Sequence, residues 1–377
     1  MKISFLNLTR QSNELSAEIN DAFARVMRGG KFVLGEEVEA FEREWAEYCE
    51  AEGAVGTANG TDAITLALKA LGVRAGDEVI TTPLSAAYTA LAIADAGVKP
   101  VFVDIDEKTF NINPEQIEQA ITPKTKAVVP VHLYGQTANM KAICEIAKRR
   151  NLFVIEDAAQ AHGARFDGKP SGFSSDAATF SFYPTKNLGA LGDGGAIVSN
   201  NEDFLQKTRA LRQGGHVEAM QANLIGRNSR LDEMQAAFLR VKLKKLGLWN
   251  ARRRALAKMY FERLKDFPRV RLPFVRNKDE HVFHLFVICH EQRDELKNFL
   301  ASRGIETLIH YPYLLHEQEI FSSGGQKSLP AAEKVSKEIL SLPLYPNMEN
   351  EEIEIVCEAI AEFENKPVSA LSRHANR

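Results

Sequence analysis

The sequence lacks several features that would place it in common protein classes. Its 377 residues include four cysteines, none of which form a C-x-x-C pair or lie near a histidine pair at zinc-ligand spacing. We therefore expect reduced cysteines. No apolar run approaches the ~18 residues of a membrane-spanning helix, and the first residues, MKISFLNLTRQSNEL, contain no apolar core of a signal peptide. These absences predict a cytoplasmic protein without a membrane partner.

The sequence also lacks a strong charge of either sign and the commonest catalytic motifs. Lys and Arg number 47 against 50 Asp and Glu, a net charge of −3, whereas nucleic-acid-binding domains are usually basic. We therefore expect the three arginines at 252–254 to form a solvated helix face. The absence of G-x-x-x-x-G-K-[ST], H-E-x-x-H, G-x-S-x-G and a strand-linked G-x-G-x-x-G disfavours the commonest ATPases, zinc proteases, α/β-hydrolases and dinucleotide-binding proteins.

Two kinds of segment alternate in the first part of the chain. Runs rich in β-forming residues lie at 78–81, 100–105, 126–131 and 152–155, and helix-like stretches lie at 85–96, 114–120 and 138–150. This alternation predicts an α/β fold in which helices cover both faces of a mostly parallel sheet.

The pattern changes after residue 200. A long helical segment from 231 to about 267 precedes predicted strands at 281–288 and 306–309, which are mixed with helices. We expect a large domain over 1–248 and a smaller α+β domain over 249–377.

The first chemical signal is the segment GTANGTD at 56–62, which precedes the apolar helix AITLALKAL. Small and hydroxyl residues before a helix expose backbone N–H groups at the positive end of the helix dipole, where a phosphate binds readily. Alone, such a segment is more often an ordinary helix cap, with Thr61 or Asp62 as the capping residue.

The second signal is the run FVIEDAAQAHG at 153–163, in which an apolar strand ends in two carboxylates. Open α/β sheets bind ligands at the carboxyl ends of their strands, and a carboxylate there can stabilise a positively charged ring nitrogen. The alternatives are an exposed loop acid and an aspartate that caps the next turn.

The third signal is SFYPTKNLGALGDGG at 181–195, which places Lys186 in a turn between two strands, with four glycines after it. Glycine lets the backbone approach another group closely. A lysine in a partly desolvated pocket has a lowered pKa and can form a Schiff base. By itself, however, Lys186 would be interpreted as a surface lysine in a hairpin.

Together the three signals supply a phosphate seat, a carboxylate for a ring nitrogen and a lysine for an aldehyde, which are the contacts that pyridoxal 5′-phosphate (PLP) needs. Their order and wording resemble the DegT/DnrJ/EryC1/StrS family of sugar aminotransferases, which are PLP enzymes of fold type I. The resemblance runs from FLNL near Phe5, through EDAAQAHGA and FSFYPTKNLGALGDGG, to SLPLYP at 341–346, and so covers nearly the whole chain.

The resemblance implies a role for residues in each motif. Lys186 would form the Schiff base with the cofactor aldehyde and move the proton, and Asp157 would hold the protonated ring nitrogen. The other implied cofactor contacts are Gln160 at the ring hydroxyl, Ala159 at one ring face, Gly60, Thr61 and Ser181 at the phosphate, and Asn228 at the phosphate of the neighbouring subunit. The last contact implies a homodimer, although Asn228 could also cap a helix that begins near 230 or 231.

One segment departs from the family pattern. Many relatives carry an aromatic residue that covers the second face of the cofactor ring, but TTPLSAAYTALAI places Ala86 there, with Tyr88 two residues later. The residue that covers this face is therefore open. The substrate-binding residues implied by the resemblance are Tyr183, His310, Tyr311 and His316, and each histidine can also be interpreted as a plain loop residue.

The resemblance implies transfer of an amino group from glutamate to a nucleotide-linked keto sugar. The wording FYPTKNLGALGD is most similar to that of enzymes that aminate C3 of a dTDP-3-keto-6-deoxyhexose. The alternatives are amination at C4 of a 4-keto sugar, a different fold-type I enzyme acting on amino acids, and a regulatory relative without turnover. We expect no metal and no nucleic-acid partner.

Overall fold

The computed structural model describes residues 2–218, 221–278, 280–321 and 328–365. Its helices are α1 (Leu8–Glu14), α2 (Ser16–Gly29), α3 (Glu36–Tyr48), α4 (Gly60–Ala70), α5 (Tyr88–Asp95), α6 (Pro114–Ala120), α7 (Met140–Arg150), α8 (Glu202–Leu211), α9 (Glu233–Leu264), α10 (Arg293–Ser302), α11 (Pro330–Glu338) and α12 (Asn350–Glu364). Its strands are β1 (Gly53–Thr57), β2 (Glu78–Thr81), β3 (Lys99–Phe102), β4 (Thr125–Val129), β5 (Phe153–Asp157), β6 (Arg165–Phe166), β7 (Lys169–Pro170), β8 (Ala177–Ser181), β9 (Gly195–Ser199), β10 (His216–Glu218), β11 (Gln221–Ala222), β12 (Phe286–Cys289) and β13 (Ile339–Leu342).

The main sheet of the described residues has seven strands in the order β1-β9-β8-β5-β4-β2-β3. The strands β8, β5, β4, β2 and β3 run parallel to one another, and β9 is antiparallel to both of its neighbours, β1 and β8. The prediction of an α/β fold with a mostly parallel sheet is therefore confirmed.

Successive residues of the central strand β5 face different helix layers, because side chains of a strand alternate between its two faces. Val154 packs with Met140 and Ile143 of α7. Ile155, one residue later, packs with Leu66 of α4. The same alternation sends the next two side chains of β5, which are both acidic, to opposite faces of the sheet.

A second apolar core lies around the antiparallel pair of β12 and β13. Tyr260 of α9 and Phe363 of α12 pack there with Phe286 and Leu340. The predicted boundary at 248/249 lies within α9 and stays a prediction, and residues 366–377 of the predicted small domain lie outside the described residues.

Two predicted strands of this second region are wrong in extent. The segment before β12 does not pair as a strand, because the backbone N–H groups of Val282 and Leu285 donate to the carbonyls of Gly135 and Tyr134 instead. The predicted strand at 306–309 contributes only the single bridge between Leu308 and Ser341.

The expectation of a solvated face at 252–254 is wrong for its middle residue. Arg253 is 4% exposed, and its guanidinium donates to the carbonyl oxygens of Phe283 at 3.2 Å and Leu344 at 2.9 Å. The side chain is buried because α9 passes beneath these two segments, and burial lowers the pKa of Arg253 to about 9. Arg252 donates to the carbonyl of Met348 at 2.7 Å.

The described helices include none that is both long and apolar enough to cross a membrane. Across the same ranges, no group of three or more His, Cys, Asp or Glu side chains is arranged to hold a metal ion. All four cysteines are free, in agreement with the prediction of reduced thiols.

Candidate active site

Asp157 ends β5 with a buried carboxylate that is 6% exposed. Its Oδ2 accepts a hydrogen bond of 2.6 Å from the Thr89 hydroxyl on α5, and its Oδ1 accepts one of 3.1 Å from the N–H of Ala159. Neutral donors from two sides thus fix the orientation of the carboxylate. Thr89 was missed by the sequence analysis, because a threonine in an apolar helix gives no signal of its partner.

Glu156, the neighbouring acid, lies on the other face of the sheet and is fully partnered. One carboxylate oxygen bonds to His132 Nε2 at 2.6 Å, and the other accepts from Ser175 Oγ at 2.6 Å and the Gly172 N–H at 2.8 Å. His132 Nδ1 accepts from the Ala138 N–H, so Nε2 carries the proton. Of the two carboxylates, only Asp157 lies on the face that the other predicted site residues share.

Lys186 lies in the loop between β8 and β9, and this loop is tightly folded. The Lys186 N–H donates to the Tyr183 carbonyl at 2.8 Å, and the Ala190 N–H returns to the Phe182 carbonyl at 2.7 Å. A Cβ at Gly189 would lie 2.3 Å from the Pro184 carbonyl oxygen, so the turn requires glycine there. The close return of the chain positions Lys186 at the end of β8, next to the strand that ends in Asp157.

The Lys186 side chain is half-buried by surface area, but its ammonium lies deep enough to be desolvated. Desolvation lowers the pKa of Lys186 to about 8, and the nearby charge of Asp157 opposes this change by raising it. The two predicted catalytic side chains therefore lie within electrostatic reach of each other. At pH 7, about a tenth of the Lys186 amine is neutral, far more than at a surface lysine of ordinary pKa.

A polar network that the sequence analysis did not predict holds the residue after Lys186. Asn187 Nδ2 donates to Asn250 Oδ1 at 2.9 Å and to the Val282 carbonyl at 3.1 Å, and its Oδ1 pairs with His284 Nδ1 at 3.2 Å. Asn250 also donates to the carbonyl of His162 at 2.8 Å. The lysine loop is thereby fixed to α9 and to the chain before β12.

The imidazole of His162 fills the apolar space between Lys186 and α3. Its ring lies 5.9 Å from Trp45 and 5.6 Å from Phe180, centroid to centroid. Burial, with a smaller contribution from the charge of Lys186, lowers the pKa of His162 to about 3. His162 is therefore neutral and adds no positive charge beside the lysine.

The turn at 56–62 approaches the end of β8 very closely. A Cβ at Gly60 would lie 2.7 Å from Ser181 Cβ, so glycine is required for this contact. Asn59 caps α4 by accepting from the Asp62 N–H at 2.8 Å, which makes the alternative of Thr61 or Asp62 as the cap wrong. The N–H groups of Gly60 and Thr61 have no acceptor in the part of the chain that the structure describes, and they remain available to an anion beside Ser181.

Gln160 and two tyrosines form the opposite wall of the site. Gln160 Oε1 accepts from the Tyr134 N–H at 2.8 Å, and its Nε2 donates to the Tyr311 hydroxyl at 3.1 Å. The Tyr134 hydroxyl donates to the carbonyl of His310. Burial and the nearby charge of Asp157 raise the pKa of Tyr311 above its usual value, so its hydroxyl stays protonated.

The remaining predicted site residues differ in how closely they join this group. The His310 ring stacks on Phe5 and bonds to Ser341 Oγ at 2.8 Å; burial, with a smaller contribution from Lys186, lowers the pKa of His310 to about 4. His316 is buried 3.6 Å from Glu333, and the described residues give it no contact with Asp157 or Lys186. Ala86 and Ala159 are half-buried, whereas Tyr183 and Tyr88 are exposed.

Asn228 is exposed and makes no helix cap, because α9 begins at Glu233 with Asp232 as its cap. The capping alternative for Asn228 is therefore wrong. Its two neighbours in the chain, by contrast, are tied to the turn at 56–62: Arg227 pairs with Asp62, and Ser229 Oγ accepts from the Ala58 N–H at 3.1 Å.

Comparison with known proteins gives one family and many relatives. A family model described as the DegT/DnrJ/EryC1/StrS aminotransferase family matches residues 13–361. The chain is similar to a pleiotropic regulatory protein of Geobacillus stearothermophilus, with 49% identity over 96% of this chain and 99% of the relative. It is also similar to the dTDP-3-amino-3,4,6-trideoxy-alpha-D-glucose transaminase of Streptomyces venezuelae, with 44% identity over 96% of each chain.

Solved structures resemble the fold over the same extent. The crystal structure of S. venezuelae DesV in complex with a ketimine intermediate gives a TM-score of 0.95, with 43% identity over 97% of this chain and 99% of that chain. The structure of Bacillus subtilis NtdA with bound cofactor PMP gives a TM-score of 0.92, with 36% identity over 97% and 86% of the two chains. These similarities extend over the strands and loops that carry Asp157 and Lys186.

Proposed function

The chain belongs to the DegT/DnrJ/EryC1/StrS aminotransferase family, and from this premise we propose that it uses PLP to transfer an amino group from glutamate to C3 of a dTDP-linked 3-keto-6-deoxyhexose. The observation that carries the proposal is the proximity of Lys186 and Asp157, which lie within electrostatic reach of each other. A desolvated lysine with a lowered pKa and a buried carboxylate lie at the ends of adjacent parallel strands, the usual ligand edge of such sheets.

The residues present fit PLP at each of its polar groups. The close contact of Gly60 with Ser181 leaves two N–H groups and a hydroxyl beside each other, and these are suitable donors for a phosphate. Asp157 supplies an anionic acceptor for the ring N–H, and the Gln160 amide supplies a donor for the ring hydroxyl. Ala159 and Ala86 are small enough to leave room at the two ring faces, and Lys186 supplies the amine for the aldehyde.

The reaction needs a group that moves a proton at the substrate carbon, and we assign this role to Lys186. When bound, PLP supplies an electron-withdrawing ring that makes removal of this proton feasible. The Lys186 Nζ can take the proton because its lowered pKa leaves it partly neutral near pH 7, and as an ammonium it can return it. Asp157 keeps the ring nitrogen protonated, while Thr89 and the Ala159 N–H hold the carboxylate in place.

Substrate recognition is assigned to the wall that faces this pair. Tyr311 lies beside Gln160 and Asp157, His310 precedes it, and Tyr183 is exposed at the mouth of the lysine loop. His316 lies further along the same segment, and only the resemblance assigns it to the substrate. The C3 assignment follows the relatives, because the S. venezuelae and Aneurinibacillus thermoaerophilus enzymes are both named as transaminases of dTDP-3-amino sugars.

The proposal includes a homodimer in the cytoplasm, in which Asn228 of each chain binds the cofactor phosphate of the other. Its support is the exposure of Asn228 on a segment whose backbone is otherwise well fixed. A neutral amide adds two N–H donors to a buried phosphate without desolvating another charge.

A second candidate function is regulation without turnover, which the name of the G. stearothermophilus relative favours. The Lys186 environment separates the two candidates. A chain that only binds a ligand has no need of an amine with a lowered pKa next to a buried carboxylate, whereas transamination uses both.

The test is turnover with glutamate and a set of nucleotide-linked 3-keto and 4-keto sugars, followed by mass spectrometry and by NMR of the amino sugar. We expect amination at C3 and its loss in Lys186→Ala. Lys258→Ala, at an exposed lysine that pairs with Glu262, is the matched control. Amination at C4 alone would replace the C3 assignment, and sugar binding without turnover in the PLP-loaded protein would favour regulation.

A further inference from the structure

The segment 227–229 lies between two proposed phosphate sites. One is the phosphate-binding turn of its own chain, and the other is the cofactor phosphate in the partner subunit. Asn228 is exposed and is assigned to the phosphate in the partner subunit. Arg227 and Ser229 lie on either side of it, and both contact the phosphate-binding turn of their own chain, which runs from Ala58 to Asp62.

The contacts on the inner side are strong and are spread over the turn. The Arg227 guanidinium donates to the carboxylates of Asp62, in the first turn of α4, and Asp95, at the end of α5. Ser229 is fully buried, and its hydroxyl accepts the Ala58 N–H at 3.1 Å. Both ends of the turn are therefore tied to the two neighbours of Asn228.

The backbone of the segment is also fixed. The Arg227 N–H donates to the Leu211 carbonyl at 2.8 Å and the Ser229 N–H to the Arg212 carbonyl at 2.9 Å, while Asn228 forms a β-bridge with Gln213. Side chains along such extended backbone alternate in direction. The contacts that draw Arg227 and Ser229 inward therefore direct Asn228 outward.

We propose that Arg227 and Ser229 are positioning residues that hold Asn228 in place for the cofactor phosphate of the partner subunit. The inference rests on the proposed function, since it needs a bound cofactor with a phosphate and a shared dimeric site. It adds a link between the two sites. The contacts of Arg227 and Ser229 with the phosphate-binding turn of their own chain, here called the clamp, orient Asn228 as a donor for the other site. Neither residue touches the partner's phosphate, so each acts through Asn228.

The first test compares PLP with pyridoxal, which has the same aldehyde and ring but no phosphate. Apo-protein is titrated with each compound, and the absorbance of the lysine-bound chromophore is followed. We expect Arg227→Gln and Ser229→Ala to raise the Kd for PLP roughly tenfold, as loss of a charge-assisted hydrogen bond would, and to leave the Kd for pyridoxal within about twofold of wild type.

Arg263→Gln is the matched control, because it removes an arginine–carboxylate ion pair, with Glu354, on the far part of α9. It should change neither Kd. Equal weakening of PLP and pyridoxal binding by Arg227→Gln and Ser229→Ala would indicate general damage and overturn the proposal. If wild type binds neither compound, the proposed function itself fails. If wild type binds PLP and the two variants bind it equally well, only the clamp is overturned.

The second test asks which of the two sites depends on Arg227. Two hybrid dimers are prepared with different affinity tags, each with one subunit that carries Lys186→Ala and so gives no chromophore. When Arg227→Gln is in the same subunit as Lys186→Ala, the reporting site belongs to the unaltered subunit and should bind PLP roughly tenfold more weakly. When Arg227→Gln is in the other subunit, PLP binding should stay near wild type, and the reverse pattern would contradict the proposal.

Discussion

Two adjacent acids on one strand lie in regions that differ in how completely their polar groups are satisfied. On one face of the sheet, both oxygens of Glu156 are occupied by donors, which are the Nε2–H of His132, the Ser175 hydroxyl and the Gly172 N–H. On the other face, Asp157 is held by two neutral donors and lies near Lys186 and Tyr311. A closed network favours stability, whereas a carboxylate near an amine of lowered pKa retains chemistry for a ligand.

The largest effect is expected when the Asp157 region loses its charge. Asp157→Asn keeps the shape, its Oδ1 can still accept from the Ala159 N–H, and its Nδ2 can donate to the rotated Thr89 hydroxyl, but an amide cannot keep a ring nitrogen protonated. We expect kcat to fall about 100-fold to 1,000-fold, with the larger part of the loss in kcat rather than KM because the charge matters most in the transition state. Steady-state kinetics measure this change, and a thermal midpoint near that of wild type is the control. A wild-type kcat would disprove the assignment.

The matching change in the other region should affect stability and leave catalysis intact. In Glu156→Gln, either the amide nitrogen faces Gly172 and Ser175 or it faces the protonated Nε2 of His132, so donors meet donors inside the protein. Such a conflict costs about 2–3 kcal/mol of unfolding free energy. Urea unfolding measures the loss, and a fall of kcat comparable to that of Asp157→Asn would remove the distinction between the two acids.

The loss of unfolding free energy at acidic pH should also depend on Glu156. Burial would raise the pKa of this carboxyl, but hydrogen bonds from His132, Ser175 and Gly172 hold it below its usual 4.5. Because the folded pKa lies below the unfolded one, this stabilisation is present above about pH 4.5 and is lost as the pH falls through the folded pKa. Wild type should therefore lose more unfolding free energy between pH 6 and pH 4 than Glu156→Gln, as urea unfolding at each pH can show; parallel slopes would contradict this.

The smallest effect concerns the charge state of Lys186. The rate at which apo-protein forms the PLP chromophore should rise with pH, with a midpoint near pH 8 and a plateau above it, because the neutral amine reacts. Asp157 raises the pKa of this amine, so Asp157→Asn should move the midpoint to lower pH, by less than about one pH unit. A pH series of association rates measures the midpoint, with Glu156→Gln as the unshifted control. A shift to higher pH in Asp157→Asn would contradict the electrostatic coupling.

Local sequence patterns predicted the parts of the site that depend on neighbours in the chain. The apolar run before Asp157, the glycines after Lys186 and the small residues around Gly60 are short-range signals of a strand end, a tight loop and an open helix start. The resemblance added their chemical roles and the family, and the family is confirmed by the match over residues 13–361. The roles of the individual residues stay proposals.

The contacts that hold these side chains in place could not be predicted from the sequence. Thr89 reaches Asp157 across 68 positions, and Asn187 reaches Asn250 across 63, and no short-range pattern records such distances. Arg253 was misjudged for the same reason: three consecutive arginines favour a solvated face unless another segment covers one of them, and that segment lies far along the chain.

The helix α9 connects these contacts in a way that limits how its length can vary. Lys242 donates to the Gly189 carbonyl of the lysine loop at 2.7 Å, Asn250 holds Asn187 and His162, and Arg253 holds the carbonyls of Phe283 and Leu344. At 100° per residue, the three side chains lie within an arc of about 80°. An insertion of one residue between 242 and 250 would rotate the last two by about 100° away from their partners. During evolution this stretch can therefore accept substitutions on its other face, but neither insertions nor deletions.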